Sequence, residues 1–518
     1  MTDAPRAAPA HPQILTSTVW NLLGALLPVL LALATVPLLL SGLGAERFGI
    51  LTLAWVLLGY FGLFDLGLGR ATTKYLAAAL AADDQPQARA LFWTSLLMNG
   101  VLGVLGGVLL ATVAPYLARD VLNVPAVLER DALTAFSLIA AAIPAVTITS
   151  SLRGVLEARH AFKLLNVVQV PAASLTQVAP LLVLPFSRDL PDLVAAMVAS
   201  RLIGAGAFFL AALSKSDDLF ARPLPVRLSV GPLLRFGGWL TVSNIVSPLM
   251  ATADRFFIGS VLSMRAVAYY TTPYEAISRL SLISQGLTRT TFPIISAERN
   301  LPQQLHLFLR SLACLTLVLA PIVGTACLFA RDLLWIWVGE EFASASADVL
   351  QLLSLGLLLN CLAAVPATHL QATGRPDLTA KLHLVELPLY LVALYLGTRH
   401  FGIMGAAAAW GLRAGLDGAL LTGFAMRSLG VSRRTVWVQL RPSVAVGSAW
   451  ISSVPLLAFM LPQLGLRLVA WTLLSALLGH VAWRHALAHT ERQRLTQLCL
   501  ALRVGRGARA LRRACDAR

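Results

Sequence analysis

Six ionisable side chains lie deep inside apolar stretches of the chain: Arg201, Glu275, Arg279, Glu386, Arg413 and Asp417. On insertion scales each costs at least ~2.5–3.5 kcal/mol at the bilayer centre, so such groups face protein or water instead of lipid. Glu275 and Arg279 are four apart on one expected helix, as are Arg413 and Asp417, which is the spacing of an intrahelical ion pair. In one reading each pair neutralises itself and ties helices together. In the other the arginines line a cleft and meet an anion, because a guanidinium grips phosphate with a planar, bidentate donor fork. Arg201 has no acidic neighbour on its own span and is the best single cationic contact, with Arg279 and Arg413 beside it as candidates.

The ion-coupling candidates are Glu275, Glu386, Asp417 and His383, the last placed one turn before Glu386. A His–Glu pair can carry protons, and it can equally be an ordinary hydrogen bond on a helix surface. Asn21, Asn99, Gln177, Asn244 and Asn360 are amides within apolar segments. They are suited to sugar hydroxyls, and also to holding helices together. Asp65, Arg70 and Lys74 close one span and Asp254-Arg255 another, and they read as headgroup anchors. Pro28, Pro248 and Pro273 bend helices, whereas Gly103, Gly106 and Gly107 mark close helix packing.

The elements that must hold these residues are membrane helices. The 518 residues are 57% hydrophobic and only 13% charged, with a mean hydropathy of +0.74, far more apolar than a soluble domain of this size needs. Apolar runs long enough to cross a ~30 Å hydrocarbon core recur about 14 times. Their cores lie near 14–40, 48–69, 90–114, 132–153, 165–186, 193–213, 234–261, 266–293, 307–330, 348–371, 379–398, 401–426, 440–461 and 466–486. An unpaired strand edge is too costly in lipid, so the fold class is an all-α polytopic membrane protein. The first run is too long for a cleavable signal and lacks a basic leading region.

Charge orients the bundle. Cations gather after every second span: Arg70, Lys74 and Arg89; Arg153, Arg159 and Lys163; Lys215, Arg222, Arg227 and Arg235; Arg289, Arg299 and Arg310; Arg375 and Lys381; Arg427, Arg433, Arg434 and Arg441. These loops are expected in the cytoplasm with both termini, and the acid-richer loops around Asp120, Glu129 and Asp131 or Glu340, Glu341 and Asp348 outside. The net charge of +16 is then that of a cytoplasmic membrane face, and nucleic acid is not an expected partner. Five cysteines, Cys314, Cys327, Cys361, Cys499 and Cys515, show no metal-ligand spacing and predict neither disulfide nor metal. No phosphate-binding glycine loop, dinucleotide fingerprint or HExxH pattern occurs, and no loop is long enough for a catalytic domain. No cofactor is expected, the chain does not read as an enzyme, and ATP-driven work would need another subunit.

A weak internal repeat sets the architecture. Leu43-Gly44-Ala45-Glu46-Arg47-Phe48-Gly49-Ile50-Leu51-Thr52 lies over Leu262-Ser263-Met264-Arg265-Ala266-Val267-Ala268-Tyr269-Tyr270-Thr271, with Ser263 and Ala268 replacing two glycines. The two copies keep one in/out sense, so two six-helix lobes are related by an axis along the membrane normal. The expected organisation is a cytoplasmic tail (1–12), an N-lobe of helices 1–6 (13–222), a C-lobe of helices 7–12 (223–430), helices 13–14 (431–488) and a basic tail (489–518). The linker carries Pro223, Pro225 and Pro232. In the tail Leu495, Leu498, Leu502 and Leu511 recur among Arg492, Arg494, Arg503, Arg506, Arg509, Arg512 and Arg513, which suits either an interfacial helix on anionic lipid or a disordered basic segment.

The order Asn21…Pro28…Leu43-Gly44-Ala45-Glu46-Arg47-Phe48-Gly49-Ile50-Leu51 followed by Asp65-Leu66-Gly67-Leu68-Gly69-Arg70-Ala71 resembles the start of bacterial polysaccharide flippases, the O-antigen (Wzx-like) type of the superfamily that includes multidrug MATE exporters. Arg153-Gly154-Val155-Leu156-Glu157-Ala158-Arg159-His160-Ala161-Phe162, Asp254-Arg255-Phe256-Phe257-Ile258-Gly259 and Gln371-Ala372-Thr373-Gly374-Arg375-Pro376-Asp377 extend the similarity over about residues 13–430. The resemblance implies MATE-like lobes around an alternating-access cavity. It implies as substrate an oligosaccharide repeat unit on polyprenyl pyrophosphate, flipped across the bacterial inner membrane for surface polysaccharide biosynthesis (O-antigen, capsule or exopolysaccharide), with polymerase and chain-length proteins as candidate partners. The alternatives are a MATE-type multidrug or organic-cation antiporter, which would want unpaired midplane acids, and a membrane-embedded enzyme of the same pathway.

Overall fold

The computed structural model describes residues 12–60, 68–122, 124–159, 161–220, 246, 249–298 and 300–486, with the side chains of 12–29 undescribed. Among the described residues every regular element is a helix, as a backbone that must satisfy its own polar groups in lipid requires. In chain order these are α1 (Pro12–Tyr60), α2 (Leu68–Ala81), α3 (Gln85–Tyr116), α4 (Ala126–Ala158), α5 (Phe162–Val183), α6 (Leu190–Phe220), α7 (described over 249–261) and α8 (Met264–Ser278). There follow α9 (Ser281–Ala297), α10 (Leu301–Leu328), α11 (Ala330–Val338), α12 (Glu340–Ala372), α13 (Pro376–Leu429), α14 (Arg433–Met460) and α15 (Leu464–Val481). Ten of the described segments are long and apolar enough to cross a membrane.

Two of these segments account for four expected spans. Helix α13 has 54 residues, about 80 Å at 1.5 Å per residue, and is interrupted at Gly402 (φ 59°, ψ −144°). Helix α1 is interrupted at Gly44 (φ 76°, ψ 168°), so the expected spans 14–40 and 48–69 are divided at one residue whose backbone favours glycine. At the equivalent place of the second copy, Ser263 is extended and its hydroxyl accepts from the Ala266 amide at 3.1 Å, capping α8. A cap in one copy and a left-handed glycine in the other make the same turn, which explains that substitution in the repeat. The other follows from packing: Gly49 lies so close to α8 that an added Cβ would stand 2.0 Å from the Met264 carbonyl oxygen, whereas Ala268 has room for its methyl group. The span expected over 266–293 is also divided. Helix α8, which contains Pro273, stops at Ser278 with Arg279 as its C-cap, and α9 begins at Ser281.

The chain separates into two compact units: 1–279, 334–349 and 380–413 in the first, and 280–333, 350–379 and 414–518 in the second. In the first unit Leu76, Leu91, Phe92, Leu152, Val155, Phe208, Ala212 and Leu219 join α2, α3, α4 and α6 in one core. Close approach of α3 and α4 depends on glycine: a Cβ on Gly103 would stand 2.5 Å from the Pro144 Cα, and one on Gly107 2.6 Å from the Ala140 carbonyl oxygen. In the second unit α14 and α15 pack on α10 through Val323, Cys327, Val446, Trp450 and Trp471. The Trp471 indole donates to Thr325 at 2.9 Å, and Arg467 pairs with Asp332 at 3.1 Å.

Candidate functional site

Within the first unit α7, α8 and α13 bring charged and aromatic side chains into one buried network. Asp254 on α7 is fully buried and accepts the Tyr270 hydroxyl at 2.6 Å. Its neighbour Arg255, 6% exposed, reaches Glu275 at 3.4 Å and lies 4.8 Å from the centre of the Tyr274 ring, a cation–π contact. Glu275 also receives Arg279 at 2.8 Å, the ion pair that the four-residue spacing predicts. The Tyr270 and Tyr274 rings stack at 6.4 Å, and Tyr274 meets Trp410 of α13 edge-on at 5.8 Å. One turn further along α13, Arg413 covers the Tyr390 ring at 5.6 Å.

Two guanidinium groups, Arg255 and Arg279, share the Glu275 side chain, and a third, Arg413, stands over the Tyr390 ring. The Nε atoms of all three arginines are buried without a hydrogen-bond partner. Such groups are costly until a partner arrives, and a diphosphate supplies acceptors in the required number. The break between α8 and α9 falls at Arg279, and interrupted helices are a recurrent way to present backbone and charge to a substrate within a membrane.

Asp254 and Arg255 were expected to be headgroup anchors, and the structure corrects this: both are buried because Tyr270, Tyr274 and Glu275 of α8 cover them. A tyrosine, a second tyrosine with an adjacent acid, and an arginine one turn apart on the following helix are the sequence signal that could have found the site.

The other sequence candidates sit on several helices. Arg201, half-buried on α6, has no ion-pair or hydrogen-bond partner among the described residues, and its Nε is buried. Glu386 and Asp417 are buried on α13, and His383 is half-buried there. Asn99 is fully buried on α3 and donates to the Ser151 hydroxyl at 2.7 Å. Ser151 also bonds Ser95 at 2.8 Å, and Ser95 bonds Thr72 at 2.5 Å. The Thr147 hydroxyl donates to the Asn99 carbonyl at 2.8 Å. In this placement Asn99 ties α2, α3 and α4 together. Gln177 and Asn360 are half-buried on α5 and α12. Asn244, Asp65 and Pro248, the linker prolines and the basic tail lie outside the described residues, as do the side chains of Asn21, Pro28, Arg70 and Lys74.

These helices define a multi-span, all-helical membrane protein. A solved inward-facing structure of a multidrug resistance MATE family transporter shares the fold, with a TM-score of 0.68 at 17% identity over 78% of this chain and 94% of that one. Residues 42–347 match the family model described as polysaccharide biosynthesis protein. A Shigella flexneri protein named as an O-antigen transporter is 30% identical over 410 residues, 79% of this chain and 96% of the relative. The lipopolysaccharide biosynthesis protein WzxC of Escherichia coli K12 is 25% identical over 179 residues, 34% of this chain and 36% of that protein. The chain belongs to the polysaccharide biosynthesis protein family.

Proposed function

We propose that the chain is a flippase that moves polyprenyl-pyrophosphate-linked oligosaccharide repeat units across the bacterial inner membrane for O-antigen, capsule or exopolysaccharide assembly. The observation that supports this reading is the group of three buried or half-buried arginines, Arg255, Arg279 and Arg413, whose Nε atoms are buried without a hydrogen-bond partner. Pyrophosphate is a chemical complement of such a group, and Arg201 is a further candidate for it. Gln177 and Asn360, with Asn21 and Asn244, remain the sugar candidates. Glu386, His383 and Asp417 remain candidates for ion coupling. Glu275 is less suited to that role, because two guanidinium groups already engage its side chain.

In this reading the two lobes exchange access between faces, both termini are cytoplasmic, and the basic tail lies on anionic lipid. Polymerase and chain-length proteins would take up the product outside. The MATE fold also serves organic-cation antiport, but an organic cation calls for free carboxylates, and the acids of this network are occupied. Deleting the gene tests the choice. The flippase reading expects lipid-linked oligosaccharide to accumulate on the inner leaflet while surface glycan disappears. Normal surface glycan with altered drug sensitivity overturns it in favour of the antiporter, and loss of oligosaccharide synthesis itself favours an enzyme of the pathway.

A further inference from the structure

Pro37 has no amide hydrogen, so α1 cannot supply the ladder bond to the carbonyl of Leu33 four residues earlier, and the proline ring pushes that carbonyl out of line. In the structure the indole N–H of Trp337 donates to the Leu33 oxygen at 2.7 Å. The same turn is loosened again by Thr35, whose hydroxyl donates to Leu31 at 2.9 Å and to Ala32 at 3.2 Å, a back-bonding that bends helices. Three successive carbonyls of α1 therefore have donors outside the regular ladder, and the third donor comes from 304 positions away.

The donor is presented by a short helix made for the purpose. Helix α11 ends at Gly339, whose amide returns to Leu334 at 3.2 Å and Trp335 at 3.1 Å. That turn leaves Trp335 and Ile336 57% and 71% exposed while Trp337 is half-buried against α1. Beside it, Arg265, Tyr269 and Glu341 form a closed triad that joins α8 to the start of α12, with bonds of 2.6, 2.7 and 2.8 Å. The fixed side of the contact is thus braced. The other side is a turn of α1 loosened by Pro37 and Thr35.

We infer that Trp337 is a positioning residue for transport: its indole N–H latches α1 at the carbonyl freed by Pro37, and this bond opens and closes as α1 moves. The inference rests on the alternating-access reading. A single hydrogen bond suits a latch because both groups tolerate release: indoles are at home at a membrane interface, and water can replace the lost donor.

The test uses the full-length, cysteine-free chain in lipid nanodiscs, with spin labels at the exposed positions Ser41 and Glu340 and distances measured by pulsed electron resonance. Trp337→Phe keeps the ring and removes the donor, and should raise the long-distance population about fivefold to tenfold, the effect of one hydrogen bond. Pro37→Ala restores an amide donor to Leu33, and on that background Trp337→Phe should add nothing. An unchanged distribution in Trp337→Phe, or an equal increment in both backgrounds, overturns the latch. Should Trp337→Phe fail to insert, Pro37→Ala alone decides, because competition from the new amide should raise the long population, and no change there overturns the proposal. No substrate is present in this measurement, so its failure is distinct from failure of the flippase reading, which glycan export reports.

Discussion

Two buried polar clusters in the first unit have opposite characters. Thr72, Ser95, Asn99, Thr147 and Ser151 join α2, α3 and α4 through neutral hydroxyls and one amide, each bonded to the next at 2.5–2.8 Å. Asp254, Arg255, Tyr270, Glu275 and Arg279 join α7 and α8 through charged side chains, with Trp410 of α13 against Tyr274 and Arg413 one turn on. Buried polarity alone therefore does not mark a site in this fold. The first cluster spends its hydrogen bonds on helix packing, a use worth about 0.6–2 kcal/mol per bond in membranes. The second gathers guanidinium groups, two of them on one carboxylate, and their Nε atoms are buried without a hydrogen-bond partner.

The contrast is broken most sharply at Arg255. Arg255→Met should lower stability by about 3–5 kcal/mol, because it uncovers the Tyr274 face and removes one of the two cations from Glu275. The thermal unfolding midpoint in detergent reads this, and glycan export should be lost with it. A variant as stable as wild type would show that Glu275 needs only Arg279. Next in size is Arg279, whose guanidinium is one-third exposed and therefore available to a ligand. Arg279→Gln should reduce export at least about tenfold, the equivalent of one charge-assisted bond, with little change in unfolding. Arg279→Lys should recover part of it, since the charge returns without the bidentate fork. Arg201→Ala should also abolish export while the protein still inserts, and full activity in both Arg201→Ala and Arg279→Gln would remove the cationic-site reading.

Much of the fold is legible because its determinants are local. Apolar runs place the helices, and the Gly44 turn is visible in ten residues of repeat. The Glu275–Arg279 pair is legible for the same reason, as both ends lie on one helix. The role of Asp254 and Arg255 is not, because hydropathy puts them at the end of a span and only α8 covers them. Asn99 shows the same limit from the other direction. A buried amide is recognisable in sequence, but Ser151, which engages it, lies 52 positions away. Trp337 and Leu33 are the extreme case: Pro37 announces an orphan carbonyl, and nothing nearby names its donor.

Between the two clusters stands a steric prediction of intermediate size. Gly103→Ala would place a methyl group 2.3 Å from the Thr147 hydroxyl and 2.5 Å from the Pro144 Cα, so α3 and α4 must separate, at about 1–3 kcal/mol. The unfolding midpoint should fall. A compensating Thr147→Ser would not relieve the change, because the backbone at Pro144 is the harder obstacle.

The smallest effect is the most diagnostic of the comparison. Ser151→Ala removes the acceptor of the Asn99 amide and one of the two hydroxyl partners of Ser95 in one step, leaving Ser95 with Thr72 inside the α2–α3–α4 packing. The expected loss is only about 1–2 kcal/mol, because the freed groups can turn to the neighbouring carbonyls of their own helices, as Thr147 already does toward Ile143 and Pro144. Export per folded molecule should be unchanged, since no charge has moved. The measurement is a pair, the unfolding midpoint and glycan export normalised to the amount of inserted protein. A fall in the second without a fall in the first would mean that the hydroxyl cluster contacts the substrate or moves during transport, and the division between a packing cluster and a charged site would then have to be redrawn with Asn99 on the functional side.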